Sequence, residues 1–171
     1  MVGAMTWALS QNKNLKEAEF IQQIKSNQGL IRKLAGLYAS DPEDLKDLCQ
    51  EVIYQAWKGI DSFRGDAKFS TWLYRLALNT IFSIKRKKNL VDYKDPSTYD
   101  HPIVDESASN RLQSEYLYKA IRQLSETDRA IISLHLDGYG NNEIADITGI
   151  NANHVGVKLY RIKNELSQKL K

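Results

Sequence analysis

Apolar residues recur at intervals of three and four along almost the whole chain. Leu45, Leu48, Val52 and Ala56 form one such stripe. Intervals of three and four place side chains on one face of an α-helix, whereas a strand needs alternation of apolar and polar residues. No stretch of useful length alternates in that way. The pattern therefore predicts an all-α fold.

The helical period is lost between residues 89 and 109. This stretch contains VDYKDPSTYDHPIVDESAS, with two prolines and five acidic residues. Such a composition predicts a flexible linker rather than a packed element. We therefore expect a disordered tail at 1–14, a helical domain at 15–88, an acidic linker at 89–109 and a second helical domain at 110–171.

Charge is distributed unevenly along the chain. Residues 1–90 hold 14 Lys and Arg against 9 Asp and Glu, residues 91–110 hold 1 against 5, and residues 111–171 hold 9 against 7. Two basic blocks thus flank an acidic connector. This pattern indicates two modules that face a polyanion.

Several classes of protein are disfavoured by the composition. The single cysteine, Cys49, permits no internal disulfide and fits a reducing compartment. No apolar run approaches the roughly 18 to 20 residues that span a bilayer, and the first residues lack a basic region typical of signal peptides. His101, His135 and His154 lie far apart with no Cys or acid at ligand spacing, so a metal site is not expected. No cofactor is expected either. We expect a cytoplasmic protein that does not insert into membranes.

The segment DPEDLKDLCQEVIYQAW has strong helix-start chemistry. Asp41 can cap the helix, Pro42 suits its first position, and Asp44 adds negative charge to the first turn. The face opposite the apolar stripe carries Asp47, Gln50, Glu51 and Tyr54. From the residues alone, a solvated polar face is favoured over a protein-binding surface as the explanation of this set.

The segment FRGDAKFSTWLYRLALNTIFSIKRKK, residues 63–88, predicts a helix over 70–87 capped by Ser70 or Thr71. Its inward stripe is expected to be Leu73, Leu76, Ala77, Thr80 and Ile84. The other face is expected to carry Trp72, Arg75, Asn79, Ser83 and Arg86. A core helix with a solvated basic end accounts for the inward stripe. It does not account for Trp72, Arg75 and Asn79 in line with four cations, which favours a nucleic-acid surface.

The most specific local pattern is GNNEIADITGINANHVGVKLYRIKNEL, residues 140–166. It predicts a helix from about Asn142, a tight turn at Gly149 and a second helix capped by Asn151. Such a helix-turn-helix places its second helix in the DNA major groove. Outward residues of that helix include Asn153, His154, Val157, Lys158 and Arg161. A plain αα-hairpin with a solvated face is the simpler alternative. A further helix is predicted after a capping sequence at Ser125.

Together these stretches resemble the bacterial RNA polymerase sigma factors. DPEDLKDLCQEVIYQAW and FRGDAKFSTWLYRLALNTIFSIKRKK resemble the family's core-binding and promoter-melting region, and the helix-turn-helix resembles its distal promoter-element domain. The presence of only two domains and a short linker is typical of the extracytoplasmic-function (ECF) group. The resemblance covers residues 17 to 170.

The resemblance implies a transcription initiation factor that performs no covalent chemistry. It implies core RNA polymerase as partner, with the largest-subunit coiled coil on Asp47, Gln50, Glu51 and Tyr54 and the flap of the second-largest subunit as a further contact. An anti-sigma factor is also expected, its membrane attachment left open. The acidic linker either threads towards the polymerase active centre or acts as a simple tether.

Promoter DNA is the other implied partner. The resemblance implies that the loop from Phe63 to Ser70 holds a base flipped from the non-template strand. The start-proximal contacts implied are Phe63, Arg64, Lys68, Phe69, Ser70, Thr71, Trp72, Arg75, Asn79, Ser83 and Arg86. The distal contacts implied are Asn151, Asn153, His154, Val157, Lys158 and Arg161.

The sequence departs from the family pattern at a few positions. Gly156 stands where many relatives carry Lys, and Asn141 and Asn142 replace aromatic or charged residues. These changes bear on the distal DNA sequence rather than on the binding mode. Cys49 replaces an aliphatic residue, and on the apolar stripe we expect it to be a small core side chain.

Other functions remain open at this point. A stand-alone helix-turn-helix regulator with an unrelated N-terminal sensor domain would bind DNA without polymerase. A nucleic-acid-processing enzyme is a distant alternative, because the chain lacks a Gly-rich phosphate loop, a metal-ligand cluster and a nucleophile–base pair. A polymerase-binding antagonist is disfavoured by the basic helix at 151–163.

Overall fold

The computed structural model describes residues 16–89 and 108–170. The expected tail at 1–14 and most of the expected linker lie outside the described residues. Within the two described ranges the chain forms helices and short turns with no strand, so the all-α prediction is confirmed. In chain order the elements are α1 (16–26), α2 (Gln28–Tyr38), α3 (Pro42–Gly59), a 3₁₀ turn (Ile60–Ser62), α4 (Phe69–Asn89), α5 (Ala108–Arg122), α6 (Glu126–Leu136), α7 (Asn141–Thr148) and α8 (Ala152–Lys169).

Helix α3 begins as its sequence predicts. The Asp41 carboxylate accepts a hydrogen bond from the Asp44 N–H at 2.8 Å, and Pro42 occupies the first helical position. The predicted stripe is buried, since Leu45, Leu48, Val52 and Ala56 all lie in the core. This face packs α3 against α2 and α4 and forms the centre of the N-terminal half, residues 16–89.

Helix α4 differs from its sequence-based prediction at its start. It begins at Phe69, and the Lys68 carbonyl accepts from the Trp72 N–H at 3.2 Å. Ser70 and Thr71 therefore lie inside the first turn, and the prediction that one of them caps the helix is wrong. The helix continues to Asn89, one residue into the stretch assigned to the linker.

The buried stripe of α4 is also wider than predicted. Leu73 and Ala77 are fully buried, but Leu76, Thr80 and Ile84 are only half-buried. Tyr74, Leu78 and Ile81, which were not assigned to the stripe, are buried instead. Helix α4 packs against α2 and α7 as well as against α3, and Tyr74 contacts Ser133 of the C-terminal half, so more than one side of the helix is covered.

The C-terminal half, residues 108–170, is built around the predicted helix-turn-helix. Gly149 adopts a φ of 74°, the left-handed conformation that a side chain disfavours, and it ends α7. The Asn151 side chain accepts from the Asn153 N–H at 2.9 Å and caps α8. Ser125 caps α6 in the same way through the Asp128 N–H, at 3.2 Å. These three local predictions are confirmed.

The two halves contact each other through polar as well as apolar groups. The hydroxyl of Tyr74 lies 2.7 Å from the Ser133 Oγ in a buried position, and its ring lies 5.8 Å from that of Tyr139. Tyr38 donates to the Glu126 carbonyl at 2.8 Å, and Arg129 donates to the Leu37 carbonyl at 2.6 Å. The structure thus describes two packed halves where the sequence predicts two modules joined by a linker.

Among the described residues, none of the helices combines the length and the apolar character that a bilayer span requires.

Candidate functional site

The first candidate surface is a groove between α1 and α3 on the N-terminal half. It has a volume of about 430 Å³ and lies beside Gln50 and Tyr54, two of the four residues predicted to dock on polymerase. Large apolar side chains are exposed along it: Ile21 at 45%, Tyr54 at 54% and Trp57 at 39%. Exposed aromatic residues next to polar side chains are typical of protein interfaces.

The predicted docking residues share one face of α3 but differ in exposure. Asp47, Gln50 and Tyr54 are exposed, whereas Glu51 is half-buried and accepts a hydrogen bond from the Gln55 Nε2 at 2.7 Å. The contribution of α1 to this groove was not predicted from the sequence. Helix α1 reaches the groove through Phe20, whose ring packs on that of Trp57 with centroids 5.1 Å apart. The helical spacing of Phe20 and Ile24 indicated a buried stripe but not its partner.

The second candidate surface surrounds the start of α4. Three aromatic rings meet there, with centroid distances of 5.5 Å for Phe63–Phe69, 5.4 Å for Phe63–Trp72 and 5.2 Å for Phe69–Trp72. Phe69 is buried, so its side chain supports the other two rings rather than facing solvent. Arg64 and Lys68 are exposed on the preceding loop. The loop and the helix therefore meet in one aromatic cluster with cations beside it.

The predicted outer face of α4 is largely open. Arg75, Asn79 and Arg86 are exposed, and Trp72 and Ser83 are half-buried, as are Ser70 and Thr71 in the first turn. Trp72, Arg75 and Asn79 line a cleft of about 460 Å³, whose other wall is the end of α3. Two residues of that wall, Gln55 and Lys58, were missed because they belong to a helix assigned to protein binding alone.

The four-cation run at 85–88 is divided between two environments. The Nζ atoms of Lys85 and Lys88 lie 2.7 and 2.6 Å from the Asp44 carboxylate, whereas Arg86 and Lys87 are exposed. Asp44 is only 4% exposed and also accepts from the Ser40 N–H at 2.9 Å. This network joins the start of α3 to the end of α4.

Burial and hydrogen bonding act on the Asp44 carboxyl in opposite directions. Burial alone would raise its pKa, but hydrogen bonds from Lys85, Lys88 and the Ser40 N–H outweigh that effect and hold the pKa well below its usual range. Asp44 is therefore a charged structural residue, and two of the four cations are engaged within the protein.

The third candidate surface is the outer face of α8. Asn151, Asn153, His154, Val157 and Arg161 are exposed as predicted. Lys158 is half-buried, and its Nζ lies 2.7 Å from Asp128 on α6. Tyr160, which is 70% exposed, was missed although it follows Val157 by three residues and so shares that face.

The family departures noted at Asn141 and Gly156 lie next to each other. A Cβ atom added at Gly156 would lie 3.4 Å from the Asn141 Nδ2, which is van der Waals contact. A side chain at position 156 would therefore meet Asn141, so the two positions are neighbours across the first and second helices of the helix-turn-helix. This proximity was not apparent from the sequence.

Two remaining predictions concern cysteine and metal chemistry. Cys49 is half-buried against the core, and burial raises the pKa of its thiol while Arg32 acts in the opposite direction. The neutral thiol is thereby favoured, as in a structural cysteine. No group of three or more His, Cys, Asp or Glu residues is placed to hold a metal in the part of the chain that the structure describes.

Comparison with known families covers both halves. Residues 23–90 match the family model Sigma-70 region 2, and residues 114–166 match the model Sigma-70, region 4. The α3 wall of the first candidate surface and the whole of the second lie within the first match, and the helix-turn-helix lies within the second.

Known proteins of this family resemble the chain over most of its length. The ECF RNA polymerase sigma-E factor of Escherichia coli is 31% identical over 146 residues, covering 74% of each chain. RNA polymerase sigma factor SigV of Bacillus subtilis is 25% identical over 152 residues, covering 88% of this chain and 90% of SigV.

Among solved structures, the sigma factor RpoE in complex with the anti-sigma factor NepR from Bartonella quintana has the same fold. The TM-score is 0.73 at 23% identity, and the match covers 89% of this chain and 96% of that one. With two matched regions in order and a relative at 31% identity, the chain belongs to the ECF sigma factors and is a promoter-specific transcription initiation factor.

Proposed function

We propose that the chain docks on core RNA polymerase through the groove between α1 and α3. Asp47, Gln50, Glu51 and Tyr54 would supply polar contacts to the coiled coil of the largest subunit. Exposed Trp57 and Ile21 would supply the apolar area that such a contact needs. The flap of the second-largest subunit would bind the C-terminal half.

Two surfaces would hold promoter DNA. The surface around the start of α4 consists of Phe63, Arg64, Lys68, Phe69, Ser70, Thr71, Trp72, Arg75, Asn79, Ser83 and Arg86. Phe69 is buried and would support the rings of its neighbours rather than contact DNA itself. The surface on α8 consists of Asn151, Asn153, His154, Val157, Lys158 and Arg161. The observation that carries this proposal is the exposure of Arg75 and Asn79 beside Trp72 on an open cleft. On such a surface cations bind phosphates and amides form hydrogen bonds with base edges.

Strand opening would need no covalent chemistry by this chain. Unstacking a base costs a few kcal/mol, and capture of the base by aromatic and cationic groups offsets that cost. The protein would act in the cytoplasm, where polymerase and promoters are. We assign core binding and melting to residues 15–88, distal recognition to 110–171, and a linking role to 89–109.

An anti-sigma factor is a further proposed partner. The solved sigma factor RpoE, which shares this fold, was determined with the anti-sigma factor NepR. CnrH, matched with a TM-score of 0.66 at 21% identity, was determined with the cytosolic domain of CnrY. Both are complexes of proteins folded like this one, which supports the proposal of a comparable partner here.

Transcription in vitro with core polymerase and a genomic DNA library tests the proposed function. We expect promoter-specific transcripts that require this chain. Absence of any such transcript would refute the proposal. Specific binding to free duplex DNA without polymerase, seen in gel shifts, would instead support a stand-alone regulator.

A further inference from the structure

The outer face of α8 is interrupted at Gly156. Asn153, Val157 and Tyr160 are exposed on this face, whereas Gly156 between them is half-buried. Its φ lies outside the left-handed region, so the backbone does not require glycine there. Glycine inside a helix is also less favourable than alanine. The absent side chain leaves a notch in the surface that is proposed to bind distal DNA.

The side chain of Asn141 lies beside this notch. Asn141 is the first residue of α7 and is exposed. A Cβ atom added at Gly156 would lie 3.4 Å from the Asn141 Nδ2. Apart from the adjoining residues and the backbone of α8, no other atom of the described residues lies within 4 Å of that point. The first helix of the helix-turn-helix thus places an amide next to the outer face of the second.

The Asn141 amide is not engaged within the described part of the chain. Between residues 16–89 and 108–170 its side chain forms no hydrogen bond. The Glu143 carboxylate on the same turn accepts from the Gly140 N–H at 2.8 Å, so this acidic group is bound at the start of α7. The nitrogen of a side-chain amide is a hydrogen-bond donor. The Asn141 Nδ2 is therefore available to an acceptor outside the chain.

The place of Asn141 in the motif favours the DNA backbone over a base edge as that acceptor. When the second helix of a helix-turn-helix lies in the major groove, the first helix crosses the sugar–phosphate backbone. Asparagine side chains are among the groups that donate to phosphate oxygens. A lysine at position 156 would begin in contact with the Asn141 amide and extend past it. The amide and such a lysine would therefore compete for the same phosphate.

We propose that Asn141 donates a hydrogen bond to one backbone phosphate of the distal promoter element, at the place where many relatives carry a lysine on the recognition helix. The exchange moves this contact from α8 to the first residue of α7 and makes it uncharged. Gly156 permits the exchange because it leaves the amide uncovered. This inference rests on the proposed function, because it requires distal DNA bound by α8.

The first experiment measures how holoenzyme binds a promoter recovered from the transcription assay. Asn141→Ala should weaken binding about tenfold, because a hydrogen bond to a charged group is lost. The slope of log binding constant against log salt concentration should stay unchanged, because no charge is removed. Asn164→Ala removes the same amide from an exposed position in the C-terminal part of α8 and should change affinity by less than about twofold. Equal affinities of the two variants would overturn the assignment of Asn141.

The second experiment identifies the acceptor chemically. Promoter duplexes are prepared in which one phosphate at a time around the distal element is replaced by an uncharged methylphosphonate. At one position the replacement should weaken binding of the wild type about tenfold but that of Asn141→Ala less than about twofold. A purely structural role of Asn141 would not produce this dependence. If every replacement weakens both proteins equally, or if the loss in Asn141→Ala depends on one base pair instead, the phosphate contact is wrong.

The third experiment restores the lysine. Gly156→Lys should raise the salt slope by about one. Adding Asn141→Ala to it should change affinity by less than about twofold, because the lysine then binds the phosphate. With Gly156→Ala the loss caused by Asn141→Ala should remain about tenfold, because a methyl group only reaches van der Waals contact with the amide.

Thermal unfolding of each variant shows whether it is folded. An equal loss from Asn141→Ala in folded Gly156→Lys and Gly156→Ala proteins would show that the two positions act independently, which overturns the proposal. If wild-type holoenzyme makes no promoter-specific transcript, the proposed function fails instead, so the two failures are distinguishable.

Discussion

The Arg129 guanidinium donates to the Leu37 carbonyl at 2.6 Å across the contact between the two halves. It also donates to the Leu124 carbonyl at 3.0 Å and lies 4.9 Å from the centroid of the Tyr38 ring. Arg122 donates to the Ala39 carbonyl at 2.5 Å beside it. Carbonyls at a helix end have no partner within their own helix. Two arginines of the C-terminal half thus bind the end of α2.

Arg129→Ala should therefore lower the free energy of unfolding by about 3 kcal/mol, since it leaves buried carbonyls unpaired and removes a charged donor. Denaturant unfolding followed by tryptophan fluorescence measures this change. Arg161→Ala is the matched control, because Arg161 is exposed on α8, and it should change stability by less than about 0.5 kcal/mol. Equal stabilities of the two variants would contradict the bridging role.

Asp44→Asn should lower the free energy of unfolding at pH 7 by about 3 kcal/mol, because it leaves Lys85 and Lys88 without their buried partner. The pKa of Asp44 in the folded protein is held below its usual value of about 3.8. The carboxylate therefore contributes fully to the free energy of unfolding above pH 3.8, and this contribution is lost as the pH falls further and the carboxylate is protonated. The gap between wild type and variant should narrow under acid. Asp66→Asn, in an exposed loop, is the control, and a gap independent of pH would count against the network.

The basic run offers a matched pair within one helix. Lys87→Ala should leave the fold stable and lower the salt slope of promoter binding by about one, because Lys87 is exposed. Lys85→Ala should instead reduce stability, because Lys85 is bound to Asp44. Unfolding curves and salt titrations of both variants test whether Lys87 contacts DNA and Lys85 stabilises the fold. The assignment is wrong if Lys85→Ala, and not Lys87→Ala, alters the salt slope of promoter binding.

Two glycines of the helix-turn-helix should respond to alanine in opposite ways. Gly156 lies within α8 with room for a Cβ atom, so Gly156→Ala should raise stability by up to about 1 kcal/mol. Gly149 has a φ of 74°, so Gly149→Ala should lower stability by about 1 kcal/mol. Thermal unfolding measures the change in stability of each variant. Changes of the same sign for the two variants would contradict this prediction.

A substitution in the groove between α1 and α3 should weaken binding to core polymerase without changing the fold. Tyr54→Ala should weaken core binding about 30-fold, on the order of 2 kcal/mol, because an exposed aromatic residue at a groove contributes strongly to an interface. The fold should be unchanged, since Tyr54 is exposed. Anisotropy titration with core polymerase measures the affinity, with Lys46→Ala as the control. Unchanged affinity for Tyr54→Ala would remove the groove from the proposed interface.

Much of the local structure was predictable because it depends on neighbours in the chain. The stripe on α3, the caps at Asp41, Ser125 and Asn151, and the turn at Gly149 all follow from residues within four positions of each other. The outer face of α4 was predictable for the same reason. The cap of α4 was not, because Ser70 and Thr71 fit a first turn as well as a cap.

The helices, their faces and the order of the two regions could be predicted from the amino acids, since periodicity and capping are encoded locally. Which helix faces meet depends instead on contacts between distant parts of the chain. Arg129 and Leu37 are 92 positions apart, Tyr74 and Ser133 are 59 apart, and Lys85 and Asp44 are 41 apart. No helical period specifies such pairs, because a buried face is equally apolar whatever covers it. Three features therefore could not be predicted without knowing how the helices pack. They are the lysines bound to Asp44, the additional buried residues of α4 and the cleft between α3 and α4.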